Sequence, residues 1–146
     1  MEQTQCDQVV IKSVRNQDVQ VPLYAAQPAA GFPSPGDDVV EKPLDLNDLM
    51  IKNQTATFFV RVAGDSMIGK KIFDGDILVV DRSLSATSGS IVVAAVFGEL
   101  VIKEFQVTPA GCELRSANKS YDPILISEEA DVHVWGVVTG TVRTFT

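Results

Sequence analysis

A serine and a lysine are the side chains of this sequence whose types and positions best suit covalent chemistry. Ser66 follows the strand-like residues 58–62 and lies in the sequence Ala-Gly-Asp-Ser-Met, residues 63–67. The glycine permits a sharp turn, which can expose the hydroxyl and direct neighbouring amide N–H groups towards a developing oxyanion. Because Gly-Asp-Ser after a strand is more often an ordinary turn, the motif indicates a nucleophile only if the chain also supplies a base.

The base that the sequence supplies best is Lys103. The single histidine, His133, alternates with apolar residues and is interpreted as a surface or half-buried sheet residue. A serine-lysine pair needs a buried lysine, because burial disfavours the ammonium form. The period of two in a strand predicts that Lys103 lies on an apolar face. The other members of that face are Val101, Phe105 and Val107. An edge strand on which Lys103 extends into solvent is the open alternative.

The elements that must position these side chains are predicted to be mainly β-strands. Short runs rich in β-branched and aromatic residues, separated by Gly, Asp, Asn and Pro, favour an antiparallel β domain. These runs are residues 56–63, 76–80, 91–96, 100–107, 112–116, 132–138 and 141–145. Residues 97–99 predict a tight hairpin loop between two of the strands. Residues 44–51 predict a short helix with Leu46, Leu49 and Met50 on one face.

The N-terminal residues 1–43 differ from the rest of the chain. They are polar and irregular, and residues 22–43 carry most of the chain's prolines, so neither a helix nor a central strand is expected there. Residues 27–36 combine small side chains with a preference for extended backbone, a shape that a protease cleft accepts. A solvated linker or tail is the alternative interpretation.

Length and charge restrict the function classes. A chain of 146 residues has room for one packed domain and a short appendage. Its net charge of -7 argues against nonspecific binding to nucleic acid and favours a protein partner. Cys6 and Cys112 form neither a disulfide framework nor a zinc motif, and no metal or cofactor is expected. Without a signal sequence or a long apolar run, the predicted location is the cytoplasm.

Four features together resemble one protein family. They are Gly-Phe-Pro-Ser-Pro at residues 31–35, Gly-Asp-Ser-Met at residues 64–67, Asp-Gly-Asp at residues 74–76, and Lys103 placed 37 residues after Ser66. The combination is similar to the UmuD and MucA group, the mutagenesis branch of the LexA-like self-cleaving peptidases, whose catalytic core is related to that of bacterial signal peptidase. The resemblance runs from about residue 30 to the C-terminus.

The resemblance implies a fold and a site. The expected fold is a LexA- and signal-peptidase-like antiparallel β domain with a flexible N-terminal arm. Ser66 would attack, Lys103 would act as base, the backbone amides of Asp65 and Ser66 would form the oxyanion hole, and Ala30–Gly31 would be the scissile bond. Residues 1–30 would then be the arm removed by self-cleavage, residues 31–43 an extended linker and residues 44–146 the peptidase core.

The same resemblance implies partners. A RecA filament on single-stranded DNA would stimulate cleavage in the SOS response to DNA damage. The processed dimer would serve a UmuC-like translesion DNA polymerase. Independently of the resemblance, the strands predicted at residues 132–138 and 141–145, which include Trp135 and Phe145, are expected to pair across the twofold axis of a homodimer. The arm is too short for a helix-turn-helix domain, so sequence-specific DNA binding is not expected. The alternatives are a noncatalytic β-rich adaptor and a protease acting in trans, such as a signal peptidase, against which the lack of a membrane anchor argues.

Overall fold

The structure, a computed structural model, describes residues 19–24, 40–127 and 129–146. The chain divides into two compact units, with the boundary between Leu46 and Asn47. The predicted scissile residues Ala30 and Gly31 lie outside the described residues, as does Cys6. The structure therefore describes the residues of the predicted core and of the candidate site, while the predicted cleavage point stays a prediction.

The first unit contains a small two-stranded sheet. Strand β1, Val21–Tyr24, pairs antiparallel with strand β2, Val40–Leu44. Each β1 residue is exposed. A proline within β2 is tolerated because a two-stranded ribbon has edges whose N–H groups need no partner. The sequence predicted no strand in either place, since proline content alone does not reveal that two edge strands can pair.

The second unit is built on a seven-stranded sheet in the order β3-β4-β9-β5-β6-β7-β8, with antiparallel pairing throughout. Its strands are β3 (Thr57–Arg61), β4 (Ile77–Asp81), β5 (Ile91–Val96), β6 (Glu99–Thr108), β7 (Gly111–Arg115), β8 (Ile124–Leu125) and β9 (Val132–Val142). Helix α1 is Leu46–Met50, and short 3-10 helices cover Gln54–Ala56 and Ile68–Lys70. The prediction of a mainly antiparallel β fold is confirmed.

Two local predictions were right and one needs correction. The predicted hairpin loop is a tight turn at Phe97 and Gly98, whose φ values of 48° and 83° suit the turn that joins twisted strands. The predicted helix is present, but Leu46 and Leu49 are exposed, so its apolar face is not buried as a whole. The two strands predicted near the C-terminus are in fact one continuous strand, β9.

The continuity of β9 depends on close packing against β4. A Cβ atom built on Gly136 would lie 2.7 Å from Cγ1 of Val80, so only glycine fits at this crossing. The register between β4 and β9 also shifts between Val79 and Val80. Such a shift allows a strand to bend without ending, which is why the glycines in this run do not divide it.

The core of the second unit consists of two clusters of buried side chains. One contains Val62, Met67, Ile72, Leu78, Val80 and Val93. The other contains Val92, Ala94, Leu114 and Val132. Met67 is 2% exposed and directly follows Ser66, so the first cluster anchors the loop that carries the candidate nucleophile.

Candidate active site

The loop after β3 presents Ser66 between two fixed points. Before it, Gly64 has φ +92° and donates its backbone N–H to Oδ1 of Asp74 at 2.9 Å. After it, the Met67 side chain is buried in the core. A side chain at position 64 would strain this backbone, because a φ in the left-handed region disfavours residues with a Cβ. The turn predicted from the Gly-Asp-Ser sequence is therefore present, and Ser66 itself is half-buried.

The Asp-Gly-Asp sequence at residues 74–76 stabilises the start of this loop. The backbone N–H of Gly75 donates to the carbonyl of Val62 at 2.8 Å, and the N–H of Val62 donates to the carbonyl of Asp76 at the same distance. The Asp74 carboxylate accepts from Gly64, as described above. These bonds extend the pairing of β3 and β4 past the end of β3, so the turn that carries Ser66 leaves from a fixed position.

Lys103 lies in a central strand and is buried. Its relative exposure is 7%, and β6 has β5 on one side and β7 on the other, which excludes the edge-strand alternative. Its partner on β5 is Val92, which is fully buried. Burial lowers the pKa of the Lys103 amine below its ordinary value of 10.5, because the ammonium loses contact with water. The predicted apolar face is shorter than expected, since Val107 is 57% exposed.

Two polar or aromatic groups contact the Lys103 amine, and sequence analysis identified neither. Nζ of Lys103 donates a hydrogen bond to Oγ of Ser116 at 2.6 Å. The same nitrogen lies 5.1 Å from the centre of the Tyr121 ring, within the range of a cation-π contact. Both residues come from the segment after β7, which the strand pattern alone does not place beside β6.

Ser66 and Lys103 line the same cleft, which has a volume of about 390 Å³. One wall is the end of β3 and its following loop, the other is the first part of β6, and Val93 lies between them. The lining residues are Val60, Arg61, Val62, Ala63, Gly64, Asp65, Ser66, Met67, Val93, Leu100, Val101, Ile102, Lys103 and Tyr121. The serine and the lysine that were predicted from separate parts of the sequence thus both line one cleft.

Residues 116–121, here called the bracing loop, hold the Ser66 loop from the other side. The N–H of Gly69 donates to the carbonyl of Ala117 at 2.7 Å. The side-chain amide of Asn118 donates to the carbonyl of Asp65 at 3.1 Å, and the Tyr121 hydroxyl donates to the Asp65 carboxylate at 2.9 Å. This last bond raises the pKa of the Tyr121 hydroxyl.

The predicted oxyanion donors lie in the same loop. Both the carbonyl and the carboxylate of Asp65 accept hydrogen bonds from the bracing loop. Within the described part of the chain, by contrast, the backbone N–H groups of Asp65 and Ser66 have no hydrogen-bond acceptor. Unpaired amides next to a serine are available to a carbonyl oxygen that develops negative charge.

A second buried ionisable side chain, Asp76, lies in the segment that follows this loop. Asp76 is 1% exposed and accepts two hydrogen bonds of 2.6 Å from Arg143, one on each carboxylate oxygen. The backbone N–H of Phe73 donates to the same carboxylate at 2.9 Å. The Arg143 hydrogen bonds, followed by that of Phe73, lower the pKa of Asp76 to about 2.

The remaining candidates do not join the cleft. His133 is exposed and pairs with Asp131 at 2.9 Å, in agreement with its interpretation as a surface residue. Across residues 19–24, 40–127 and 129–146, no group of His, Cys, Asp and Glu side chains has the arrangement of a metal site. None of the helices in this described part is long and apolar enough to span a membrane.

An antiparallel β domain with a turn serine and a buried lysine in one cleft is typical of the LexA-like peptidases. The Peptidase S24-like family model matches residues 22–139, and the chain belongs to this family. Within the family it is of the UmuD/MucA type.

Several curated relatives share most of their length with this chain. The MucA proteins of Salmonella typhimurium and Escherichia coli are each 42% identical over 120 residues, 82% of this chain and 82% of the relative. SamA of Salmonella typhimurium is 41% identical over 122 residues, 84% of each chain. A LexA repressor of Magnetococcus marinus is 35% identical over 123 residues, which are 82% of this chain and 51% of the repressor.

Proposed function

We propose that this protein is a serine-lysine protease that cuts its own chain between Ala30 and Gly31. The observation that carries the proposal is the shared cleft, in which Ser66 leaves a fixed turn and Lys103 is buried without a carboxylate partner among the described residues. A lysine whose pKa is lowered by burial can accept a proton from a serine at a pH where an exposed lysine cannot.

The proposed reaction proceeds through an ester intermediate. Neutral Lys103 takes the proton of the Ser66 hydroxyl while its oxygen attacks the carbonyl carbon of Ala30. The amides of Asp65 and Ser66 donate to the resulting oxyanion. When the C–N bond breaks, protonated Lys103 delivers the proton to the leaving amine of Gly31. A water molecule, deprotonated by Lys103, then hydrolyses the ester, which releases residues 1–30 and restores Ser66.

The chemistry of the cleft suits this substrate. Its lining includes Val60, Met67, Val93 and Ile102, which favour a small apolar side chain such as that of Ala30. Gly31 allows the chain to bend after the scissile bond. Because the arm belongs to the same molecule, its local concentration near the cleft is high, and a slow catalyst is sufficient for one turnover.

The biological setting is proposed from the family. We infer that a RecA filament on single-stranded DNA stimulates cleavage during the SOS response, and that the trimmed protein serves a UmuC-like translesion polymerase in the cytoplasm. The 42% identity to MucA supports this setting, and the net charge of -7 favours protein over DNA partners. We also propose a homodimer, supported by the exposure of Trp135 (46%) and Phe145 (92%). Sedimentation at micromolar concentration measures it, and a monomer mass excludes it.

The decisive experiment follows the intact mass of the purified full-length chain at neutral pH and at about pH 10, with the Ser66→Ala variant beside it. Cleavage is expected to accelerate at the higher pH, because a larger fraction of Lys103 is then neutral. The product should begin at Gly31, and Ser66→Ala should stay whole. A parallel reaction with RecA, single-stranded DNA and ATP is expected to accelerate cleavage relative to RecA without DNA.

Three outcomes contradict the proposal in different ways. If the wild-type chain stays whole at both pH values and with RecA filaments, the catalytic function is wrong and the noncatalytic adaptor becomes the better account. A product that begins at a residue other than Gly31 rejects the predicted bond while retaining the protease. If unrelated peptides with small residues are cut as readily as the arm, the enzyme acts in trans.

A further inference from the structure

The pairing of β6 with β7 places Ser116 directly beside Lys103. Glu104 pairs with Arg115, so the next step of the same antiparallel register sets Ser116 opposite Lys103. Side chains that are directly opposite on neighbouring strands lie on the same face of the sheet. This explains why Oγ of Ser116 reaches Nζ of Lys103 at 2.6 Å, although β7 itself ends at Arg115.

A neutral lysine needs help to act as a base in a defined direction. The amine has two N–H bonds and one lone pair, and only the lone pair accepts the serine proton. The lysine side chain is flexible, so several orientations of the amine compete unless a neighbouring group selects one. A hydroxyl that accepts one N–H bond fixes that bond and thereby restricts where the lone pair points.

We propose that Ser116 is a positioning residue, whose hydroxyl holds the amine of Lys103 so that its lone pair faces Ser66. This inference rests on the proposed self-cleavage, since it assigns a role in that reaction. Within the described chain, Ser116 is the hydrogen-bond acceptor of the Lys103 amine, and no carboxylate forms an ion pair with it. The task given to a carboxylate in many serine hydrolases therefore belongs here to a neutral hydroxyl.

The choice of a hydroxyl has a physical reason. A carboxylate beside Lys103 would stabilise the ammonium form and keep the base protonated. A hydroxyl orients the amine with a much weaker preference for the charged form, so burial still lowers the pKa of Lys103. The other neighbour of the amine, the Tyr121 ring, lies on the same bracing loop and lines the same cleft.

The bracing loop contacts both halves of the site, the Lys103 amine and the loop that carries Ser66. Ser116 contacts the base, while Asn118 and Tyr121 bind Asp65, the residue next to the nucleophile. The amine of Lys103 and the loop of Ser66 are thus both held by one short segment, which runs from Ser116 to Tyr121. A small displacement of a catalytic group lowers the rate strongly, so a common support is valuable.

The test compares Ser116→Ala, Ser116→Thr and the matched control Ser120→Ala in pH-rate profiles of self-cleavage by the full-length chain. Ser120 is an exposed serine of the same loop, and its hydroxyl makes none of the contacts with Lys103 or Asp65 described above. Ser116→Ala is expected to lower the rate at the alkaline plateau by roughly tenfold, because the amine is no longer oriented. The midpoint of its pH-rate profile should also move to lower pH, because the Ser116 hydroxyl no longer accepts a hydrogen bond from the ammonium form of Lys103. Ser116→Thr keeps the hydroxyl and should retain most of the rate, and Ser120→Ala should match wild type.

A second measurement separates this inference from the proposed function. In a Ser66→Ala background, where the chain is expected to stay whole, ¹³Cε NMR follows the titration of Lys103, assigned by its loss in Lys103→Met. Adding Ser116→Ala should shift this titration to lower pH, and thermal unfolding shows that each variant is folded. An unchanged titration overturns the inference, whether or not the wild-type chain cuts itself.

The pH-rate profiles can also overturn the inference that Ser116 positions Lys103. If Ser116→Ala has the wild-type plateau and midpoint, Ser116 does not position the base. If Ala and Thr at this position slow cleavage equally with an unchanged midpoint, the hydroxyl is irrelevant and the effect is one of packing. A wild-type chain that does not cleave at any pH rejects the proposed function, and the NMR titration then decides the Ser116 contact by itself.

Discussion

Two buried ionisable side chains of the same domain, Asp76 and Lys103, are surrounded in opposite ways. Asp76 is 1% exposed and receives two hydrogen bonds from Arg143 and one from the backbone of Phe73. Lys103 is 7% exposed and contacts a neutral hydroxyl and an aromatic ring. Asp76 therefore has a full counter-charge, whereas Lys103 has no carboxylate partner among the described residues.

The difference decides which group stays charged. Hydrogen bonds with Arg143 lower the pKa of Asp76 to about 2, so its carboxylate is charged at any physiological pH. Burial lowers the pKa of Lys103 from 10.5, which for a base favours the neutral form. Both pKa values fall, yet one residue becomes a more permanent ion and the other a better proton acceptor. Whether a buried ionisable group stays charged thus depends on its partner and not on its burial alone.

The largest expected effect is that of removing the amine of Lys103, which has no counter-charge among the described residues. Lys103→Met keeps a flexible side chain of similar length and deletes the proposed base, so the proposed self-cleavage should fall by at least about 100-fold. The same change should raise the midpoint of thermal unfolding at pH 7, because no ammonium has to be buried. Intact-mass kinetics and differential scanning calorimetry on the same preparation measure the two effects.

The stability gain should depend on pH. Because the pKa of Lys103 is lower in the folded state, the folded wild type binds fewer protons than the unfolded chain between that lowered pKa and 10.5. The wild type therefore becomes more stable as the pH rises through this window, and the advantage of Lys103→Met shrinks. A variant that is less stable than wild type at pH 7 would mean that Lys103 is a structural residue like Asp76.

The second-largest expected effect is a loss of thermal stability when the counter-charge of Asp76 is removed. Arg143→Met leaves the Asp76 carboxylate buried without its counter-charge, and the thermal midpoint should fall by at least about 5 °C. Arg115→Met is the matched control, because Arg115 forms an exposed ion pair with Glu113 and its loss should change the midpoint little. Adding Asp76→Asn to Arg143→Met should recover part of the loss, since the unpaired charge is then removed.

Acid unfolding gives a further check on the Asp76 pair. The pKa of Asp76 is lower in the folded state, so the pair stabilises the protein above the ordinary value of 3.8, and this stabilisation is lost as the pH falls towards about 2. Circular dichroism across this range should show a steeper acid-induced loss of structure in wild type than in the Asp76→Asn/Arg143→Met variant. Equal acid sensitivity would show that the pair does not control this transition.

Much of the second unit was predictable because its signals are local. The strand runs, the Phe97–Gly98 turn and the turn before Ser66 follow from β-branched residues and glycines close together in sequence. Alternation along the strand predicted that Lys103 lies on an apolar face, but it left an edge strand open, and only the strands on both sides of β6 exclude that alternative. The exposure of Val107 shows the limit of this method, because alternation does not reveal where a neighbouring element stops covering the sheet.

The contacts that define the two buried charges were not predictable in the same way. Arg143 follows Asp76 by 67 residues, and their bond depends on the crossing of β9 and β4 and on the register shift between them. The hydrogen bond of Ser116 with Lys103 depends on how the turn after Thr108 sets the register of β6 and β7. A change of one residue in either register would place these side chains on opposite faces.

By itself the sequence determined the fold class, the turn that carries Ser66 and the apolar side of the strand that carries Lys103, since each depends on neighbouring residues and on the period of two. Only the tertiary structure decided that Lys103 meets a hydroxyl and an aromatic ring while Asp76 meets a guanidinium. The physical reason is that the pKa of a buried group depends on the atoms within a few ångströms of it. Those atoms come from strands and loops that are distant in sequence and are brought together by strand register and packing.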